Sequence, residues 1–445
     1  MEALKNKFAM TNTGKILILK LYDKLLSMLI RDNQILSIQA QKADNDAVSN
    51  AYAVGNIYIG KVQNISVNIG AAFVDLGGGY LTFLPMTEEK DAFVTNRRPD
   101  GTLKIGDEVL VQIVKEPMKT KLAGVTTHIS LSGNYAVASL PKYSVYNIRE
   151  VGRLSDAHNS DMRSDDVALS ATAKKTENLQ VSSKLSKKQQ MRFRSIEALQ
   201  QIADSCPLIV RTNAGELEDD EPLITEAKCL CEEVLRIAEI ADKRTCHSCL
   251  HRSKPDYIGF VQNTYQTEYD EIITDIPEVY ENLKDEITEH LQNNISIRFY
   301  EDARLPLYKL YSVETRVKEL LDKKVWLKSG GYLVIEPTEA LISIDVNTGK
   351  CEKGKDKEET FLRINMEAAE MIALQLRARN LSGMILVDFI NMKKKEHETQ
   401  LIEYMRSLLK KDTVKANVVD MTGLGLLELT RKKVNQSFAE QMRQG

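Results

Sequence analysis

Two aspartates interrupt otherwise apolar runs in the C-terminal part of the sequence. Asp345 lies in LISIDVNTGK, residues 341–350, and Asp388 lies in MILVDFINM, residues 384–392. A carboxylate in a buried strand is unfavourable unless it is paired, hydrogen-bonded or bound to a cation. Both aspartates are therefore candidates for a functional site, and the alternative is that each one caps a turn or helix at a strand end.

The residues around these aspartates predict a strand, a helix and a second strand. Side chains alternate between the two faces of a strand, so Asp345 and Asn347 share a face. A helical stretch over 365–380 separates the runs, which predicts two parallel neighbours joined by a crossover. In register, Asp345 and Asp388 would meet at the carboxyl ends of the strands, a usual place for a site. Two carboxylates and an amide are oxygen ligands that suit Mg²⁺.

The N-terminal half contains a different pattern. Short β-branched and aromatic runs with glycine punctuation predict a small barrel or sandwich over residues 51–135. A segment rich in Ser, Asp and Lys, without aromatic residues, predicts a mobile insertion over 154–178. A strand in PLIVRT and a long helix over 216–243 follow, and strands and helices then alternate from about residue 256 onward.

The composition restricts the class of protein. A chain of 445 residues with 43% apolar and 28% charged residues predicts a folded, soluble protein of several domains. The formal net charge of -3 means that binding to a polyanion would depend on local basic patches. Six cysteines in a chain of this length do not form a disulfide framework, which favours the cytoplasm. The apolar stretches are too short to predict a membrane span.

Four motifs together resemble a known family. IVRTNAG, ALISIDVNTGK, MILVDFINM and GLGLLELTRKK occur in an order that resembles the ribonuclease E/G family of endoribonucleases, in particular its ribonuclease G-like members. The resemblance implies a multidomain α+β fold in which an S1-type OB-fold barrel is inserted in an RNase H-like subdomain. The expected parts are an RNase H-like subdomain from 1–50 and 257–320, the S1-type barrel at 51–135, a 5′-sensor domain at 136–256, and a DNase I-like α/β catalytic domain at 321–445.

The resemblance also implies an activity. The expected protein is a Mg²⁺-dependent endoribonuclease that cleaves single-stranded RNA in rRNA and tRNA maturation and in mRNA decay. It would favour 5′-monophosphate ends and leave 5′-phosphate and 3′-hydroxyl products. Asp345 and Asp388 match the family's metal ligands, and Asn347 matches the asparagine that orients the first. The family usually has Asp-Phe-Ile-Asp-Met at this second strand. This chain has Asn391 at the position of the second acidic residue of that motif. The alternative is a non-catalytic RNA-binding protein that retains the barrel.

Further positions match the family's RNA contacts. Two phenylalanines match its base-stacking positions, although either could lie in the barrel core on sequence grounds alone. An arginine and a threonine match its pocket for a 5′-monophosphate, where the alternative is a solvated charge at a strand end. In QVSSKLSKK, Ser183 and Lys184 stand where arginine is more usual. The predicted RNA-binding residues are Phe73, Phe83, Lys121, Arg211, Thr212 and Lys415.

The cysteines leave two alternatives open. In TCHSCLHR, Cys246 and Cys249 could supply half of a tetrahedral Zn²⁺ site, or they could be reduced thiols in a loop. The sequence contains no Cys-Pro-x-Cys motif, through which better-known family members share zinc between protomers. The zinc-linked dimer is therefore not expected, and the sequence leaves open whether the protein is a homo-oligomer of another kind.

Overall fold

A computed structural model describes residues 14–32, 34–43, 51–97, 100–117, 121–141, 178–287, 295–349 and 357–443. The chain divides into two compact units, of which the first comprises 1–44 and 256–445 and the second comprises 45–255. The insertion predicted at 154–178 lies outside the described residues, apart from its last position.

The strands of the described residues are numbered β1 to β21 along the chain. They are Gly14–Leu21, Lys24–Arg31, Gln34–Lys42, Ile57–Ser66, Ala71–Asp75, Leu81–Pro85, Glu108–Lys115, Ala123–Thr126, Ser130–Ser132, Ala136–Ser139, Leu179–Val181, Leu208–Val210, Cys249–His251, Tyr269–Thr274, Ser296–Phe299, Lys324–Trp326, Tyr332–Pro337, Ile342–Asn347, Gly383–Asp388, Ala416–Met421 and Leu426–Arg431.

The α-helices of the described residues are numbered α1 to α10 in the same way. They are Lys187–Arg194, Glu197–Ser205, Glu221–Ala241, Asp256–Asn263, Pro277–Ile287, Leu307–Leu310, Val313–Leu321, Lys357–Ala378, Lys395–Leu409 and Phe438–Arg443. None of the helices within the described residues is both long and apolar enough to cross a membrane.

The second unit contains the barrel predicted from the N-terminal half. Strands β4, β5, β6, β8 and β7 pair in that order, and β4 also pairs with β7, which closes a five-stranded barrel. Alternate residues of β5 and β6 point inward, where Val74 and Leu84 are fully buried. The barrel's last strand ends at Thr126, and β9 belongs to the next sheet, whereas the sequence predicted a barrel that extends to residue 135.

A four-stranded sheet follows the barrel in the same unit. Its strand order is β11-β12-β10-β9, and the predicted strand in PLIVRT is β12. The predicted long helix is α3, which begins at Glu221 rather than at residue 216. Fully buried Leu223, Val234 and Ile237 of α3 share one core with Leu208 and Val210 of β12.

The first unit joins two distant parts of the chain in one sheet. Strands β1 to β3 come from residues 14–42, and β14 and β15 come from 269–299, in the order β15-β14-β1-β2-β3. The sheet is buried on both faces, because Leu17 and Leu19 of β1 belong to one core and Ile16 and Ile18 belong to another. A strand that is buried on both faces is continuously apolar, as ILIL in β1 is.

The second sheet of the first unit has the order β16-β17-β18-β19-β21-β20, and β18 and β19 are parallel, as the sequence predicted. Helix α8 connects these two strands. One face of the sheet packs on α8 and α9 through buried side chains such as Ile344, Val387, Ile372 and Leu401. We call the opposite face of β16 to β21 the open face.

Candidate metal centre and nucleic-acid interface

Asp345 and Asp388 lie side by side on the open face. The strands β18 and β19 pair so that Asp345 stands directly opposite Asp388, one residue beyond the buried pair Ile344 and Val387. Both aspartates are exposed. Parallel neighbours are about 4.8 Å apart, so the two carboxylates can contact one ligand. The apolar runs that surround them bury their alternate side chains against the helices and leave the acids on the open face.

Two asparagines fix the geometry around the pair. The Asn347 side-chain amide donates a hydrogen bond to Asp345 Oδ2 over 2.7 Å. On α8, Asn365 is fully buried, and its amide donates to the Ile390 carbonyl at 2.8 Å and accepts from the Ile390 N–H at 3.0 Å. These two hydrogen bonds hold the backbone just after Asp388. Asn365 was not predicted as a site residue, and its only sequence signal is a polar residue on the buried face of a helix.

The backbone beyond Ile390 has a second anchor on α8. The carboxylate of Glu358 accepts hydrogen bonds from the N–H groups of Lys393 at 2.7 Å and Lys394 at 3.0 Å. These backbone donors, that of Lys394 above all, lower the pKa of Glu358. Asn391 is exposed and lies beyond the end of β19 at Asp388. The alternation of side chains along a strand therefore does not apply to it.

The donor set of the pair fits a hard divalent cation. Two carboxylates offer oxygens without a histidine or thiolate, and Mg²⁺ is commonly held by one or two carboxylates, with water and substrate phosphate as its other ligands. The described part of the chain contains no cluster of three or more His, Cys, Asp or Glu side chains that could hold a metal ion. A metal at Asp345 and Asp388 would therefore need further oxygen ligands from water or a bound phosphate.

Phe73 and Phe83 lie on the outer surface of the barrel. They face each other across β5 and β6, with ring centroids 6.5 Å apart and an interplanar angle of 84°. Both are only partly buried, whereas the neighbouring Ala72 and Leu84 are fully buried in the core. The two rings therefore present an edge-to-face aromatic pair on the outside of the barrel.

The predicted phosphate contact Lys121 is exposed. Lys119, two positions before it in the sequence, lies outside the described residues.

Arg211 and Thr212 lie at the end of β12. The parallel pairing of β11 with β12 brings the QVSSK segment beside them, and the hydroxyls of Ser182 and Thr212 are 2.9 Å apart. The Arg211 backbone N–H donates to the Tyr135 carbonyl at 2.7 Å, and its guanidinium donates to the Gly133 carbonyl. Arg211 is thus held against the turn at 133–136.

Glu226 of α3 anchors that turn. Its carboxylate is 6% exposed and accepts hydrogen bonds from the backbone N–H groups of Asn134, Tyr135 and Ala136, at distances of 2.7 to 2.9 Å. A side chain on Gly133 would overlap the carboxylate, because its Cβ would lie 2.3 Å from Oε1. Glu226 was not predicted as a site residue, and its sequence signal is a glutamate on the apolar side of a helix.

Lys415 belongs to the first unit. It is exposed and immediately precedes β20, and its carbonyl accepts the Lys432 N–H at 2.9 Å.

The cysteines of TCHSCLHR contact other partners. The Cys249 thiol donates to the His251 carbonyl at 3.3 Å, while His247 lies 3.8 Å from Asp75. Burial raises the pKa of the Cys246 thiol. Within the described ranges these side chains form no cluster of three or more ligands.

Comparisons with known proteins identify the barrel domain and the family of the chain. The model of the ribonuclease E/G family matches residues 168–434, and that of the S1 RNA binding domain matches residues 51–125. Ribonuclease G of Escherichia coli K12 is 30% identical over 399 residues, covering 86% of this chain and 74% of that protein.

Two further relatives extend the comparison. Ribonuclease E of Haemophilus influenzae is 30% identical over 393 residues, and the match covers 86% of this chain but only 38% of that protein. A putative ribonuclease E of Buchnera aphidicola is 28% identical over 437 residues, covering 94% of this chain and 96% of that protein. The chain belongs to the ribonuclease E/G family.

Proposed function

We propose that this protein is a Mg²⁺-dependent endoribonuclease that cleaves single-stranded RNA, with Asp345 and Asp388 as the metal ligands. The observation that carries the proposal is the direct pairing of the two exposed aspartates on the open face, at the carboxyl ends of parallel strands. Membership of the ribonuclease E/G family and the S1 domain support RNA as the substrate.

The residues around the pair have distinct roles in this proposal. Bound Mg²⁺ would supply Lewis-acid stabilisation of charge on the phosphodiester. Asn347 orients Asp345 by donating to one carboxylate oxygen, which leaves the other oxygen free of that bond. Asn365 and Glu358 are positioning residues, because they hold the backbone that follows Asp388. Such outer contacts maintain the orientation of metal ligands.

The reaction would be an in-line hydrolysis of the internucleotide bond. Water oxygen forms a bond to phosphorus, the bond from phosphorus to the 3′-oxygen breaks, and the 3′-oxygen takes up a proton. The products are a 5′-phosphate on one fragment and a 3′-hydroxyl on the other. Internal cuts in an A/U-rich single-stranded RNA with Mg²⁺, and none with EDTA, would support the proposal. RNA binding without any cutting would instead favour a non-catalytic RNA-binding protein.

Phe73 and Phe83 would stack on RNA bases, and Lys121 would contact phosphate. Replacing either phenylalanine by alanine should weaken the binding of a single-stranded oligoribonucleotide by about 1–3 kcal/mol, because each base–aromatic stack contributes about that much. Both rings lie outside the core, so the free energy of unfolding should change little. Fluorescence anisotropy with a labelled RNA measures the dissociation constant.

Ile105→Ala is the matched control for this experiment, since Ile105 is an apolar residue of the barrel region that is 66% exposed. Its dissociation constant should equal that of the wild type. An unchanged constant in both phenylalanine variants would contradict the stacking role.

Arg211 and Thr212 would bind the 5′-monophosphate of the RNA. A guanidinium and a hydroxyl are suited to a phosphate. The hydroxyls of Ser182 and Thr212 share a hydrogen bond, and the Gly133 carbonyl accepts one from Arg211. Arg211→Ala should reduce the ratio of cleavage rates between 5′-monophosphate and 5′-hydroxyl RNA towards one. Paired substrates of identical sequence measure this ratio.

Arg194→Ala is the control, because it removes an exposed arginine from the same unit. The control should keep the wild-type ratio. A wild-type ratio in Arg211→Ala as well would place the recognition of the 5′ end elsewhere.

The remaining assignments rest on the family. We infer that residues 1–50 with 257–320 form an RNase H-like subdomain, that 321–445 form a DNase I-like catalytic subdomain, and that the 5′-sensor domain occupies 136–256. Lys415 would contribute a positive charge to RNA binding. Maturation of rRNA and tRNA and decay of mRNA in the cytoplasm are the proposed roles.

A further inference from the structure

An aromatic cluster lies on the open face beside the aspartate pair. Trp326 of β16 pairs with Tyr332 of β17, and Tyr332 pairs in turn with Asn347 of β18. In the adjacent row, Val334 pairs with Asp345 and Asp345 pairs with Asp388. Cross-strand partners share a face of a sheet, so the aromatic rings and the aspartates lie on the same surface.

The cluster is built around a lysine. The Trp326 and Tyr332 ring centroids are 5.3 Å apart, and the Lys324 ammonium lies 4.1 Å from the first and 3.7 Å from the second. Trp326 is nevertheless 62% exposed. An indole with so much exposed surface still has aromatic area available for a ligand. We call Lys324, Trp326 and Tyr332 the aromatic platform.

We infer that the aromatic platform binds a nucleotide of single-stranded RNA next to the scissile phosphate, an inference that rests on the proposed function of Asp345 and Asp388. Trp326 would stack on the base and Lys324 would attract the phosphate. Neighbouring strands are about 4.8 Å apart and residues rise about 3.3 Å along a strand. Trp326 lies two strands and two residues from Asp345, which places the two roughly 12 Å apart. That separation corresponds to a nucleotide one or two positions from the cleaved bond.

The surroundings favour RNA over a protein partner. The open face next to the platform carries Ser343, Asp345 and Asn347, and Glu336 lies on the same face of β17. The buried core of a protein–protein interface is depleted of charged residues, whereas single-stranded RNA needs a stacking surface and a cation for its backbone. The aromatic pair supplies such a stacking surface, and Lys324 supplies the cation beside these polar side chains.

The fluorescence of Trp326 provides a direct test, because it is the chain's one tryptophan. The Asp388→Asn variant, without Mg²⁺, is titrated with a single-stranded oligoribonucleotide, and its binding is followed in parallel by anisotropy of a labelled RNA. Stacking of a base on the indole should quench the tryptophan fluorescence, with the same midpoint as the anisotropy. RNA binding without quenching would overturn the inference.

Substitutions in the catalytically competent chain complete the test. Trp326→Leu, which keeps apolar bulk but removes the aromatic face, should lower kcat/KM by about 5- to 50-fold. Trp326→Phe, which keeps a ring, should stay within about threefold of the wild type. Equal kcat/KM in wild type and Trp326→Leu would overturn the inference. If the wild type is a dimer and Trp326→Leu disrupts that dimer without changing cleavage, the inference would also be overturned.

The experiment separates the two proposals. The quenching measurement does not require cleavage. RNA can therefore quench the Trp326 fluorescence even if Asp388→Asn proves as active as the wild type. In that case the metal site would be wrong, and the platform would remain an RNA-binding surface.

Discussion

Replacing either Asp345 or Asp388 by asparagine should lower kcat for RNA cleavage by roughly 10³-fold or more. Each substitution removes a negative charge and a carboxylate oxygen from a donor set that contains only two carboxylates. The side chains are exposed, so the fold should tolerate the change. RNA affinity measured without Mg²⁺ should remain close to that of the wild type, because RNA binding would depend mainly on the barrel.

Ser343→Ala provides a matched control, since Ser343 is exposed on the same face of the same strand. This variant should keep kcat within a few-fold of the wild type. A titration with Mn²⁺, followed by electron paramagnetic resonance, should show metal binding in the wild type and the control, and weakened binding in the aspartate variants. Wild-type kcat in both aspartate variants would contradict the site assignment.

Replacing Arg431 by methionine should destabilise the first unit by about 3–5 kcal/mol, as expected when one partner of a buried ion pair is removed. The Arg431 guanidinium is 2% exposed, and the carboxylate of Asp412 accepts two bonds from it, at 2.7 and 3.2 Å. It also donates to the Asn380 side chain and to the Leu381 carbonyl. Its loss leaves the Asp412 charge buried without its main partner.

The effect is measured by urea unfolding, with Lys432→Met as the control that removes an exposed neighbouring charge. The control should change the free energy of unfolding by less than about 0.5 kcal/mol. Adding Asp412→Leu to Arg431→Met should recover part of the loss, because no buried charge then remains. A loss below about 1 kcal/mol in Arg431→Met alone would show that this ion pair contributes little to stability.

Local sequence patterns predicted the elements that carry the aspartate pair. The period-two alternation around Asp345 and the helical spacing between the two runs depend on residues close in sequence. They predicted parallel neighbours with both acids on one face, and the pairing of β18 with β19 has this register. Glycine punctuation predicted the barrel in the same way, although its last strand ends before the predicted boundary.

Contacts between distant residues could not be predicted from local patterns. Asn365 meets Ile390, and Glu226 meets the turn at 133–136, only because the helices pack in a particular register. The row from Trp326 to Asn347 likewise depends on the pairing of three strands. These tertiary contacts determine which polar side chains position the site, whereas composition and periodicity determine only that the elements exist.

The assignment of Asp345 and Asp388 as Mg²⁺ ligands is tested by the rate of cleavage as a function of Mg²⁺ concentration, with the product ends mapped. Wild type and Asp388→Asn are compared on one 5′-monophosphorylated single-stranded RNA under single-turnover conditions. We expect the wild-type rate to rise to saturation with Mg²⁺ and the variant to stay at the rate measured in EDTA. The products should carry 5′-phosphate and 3′-hydroxyl ends. Equal rates in the two proteins, or cutting by the wild type in EDTA, would show that the aspartate pair is not a catalytic Mg²⁺ site.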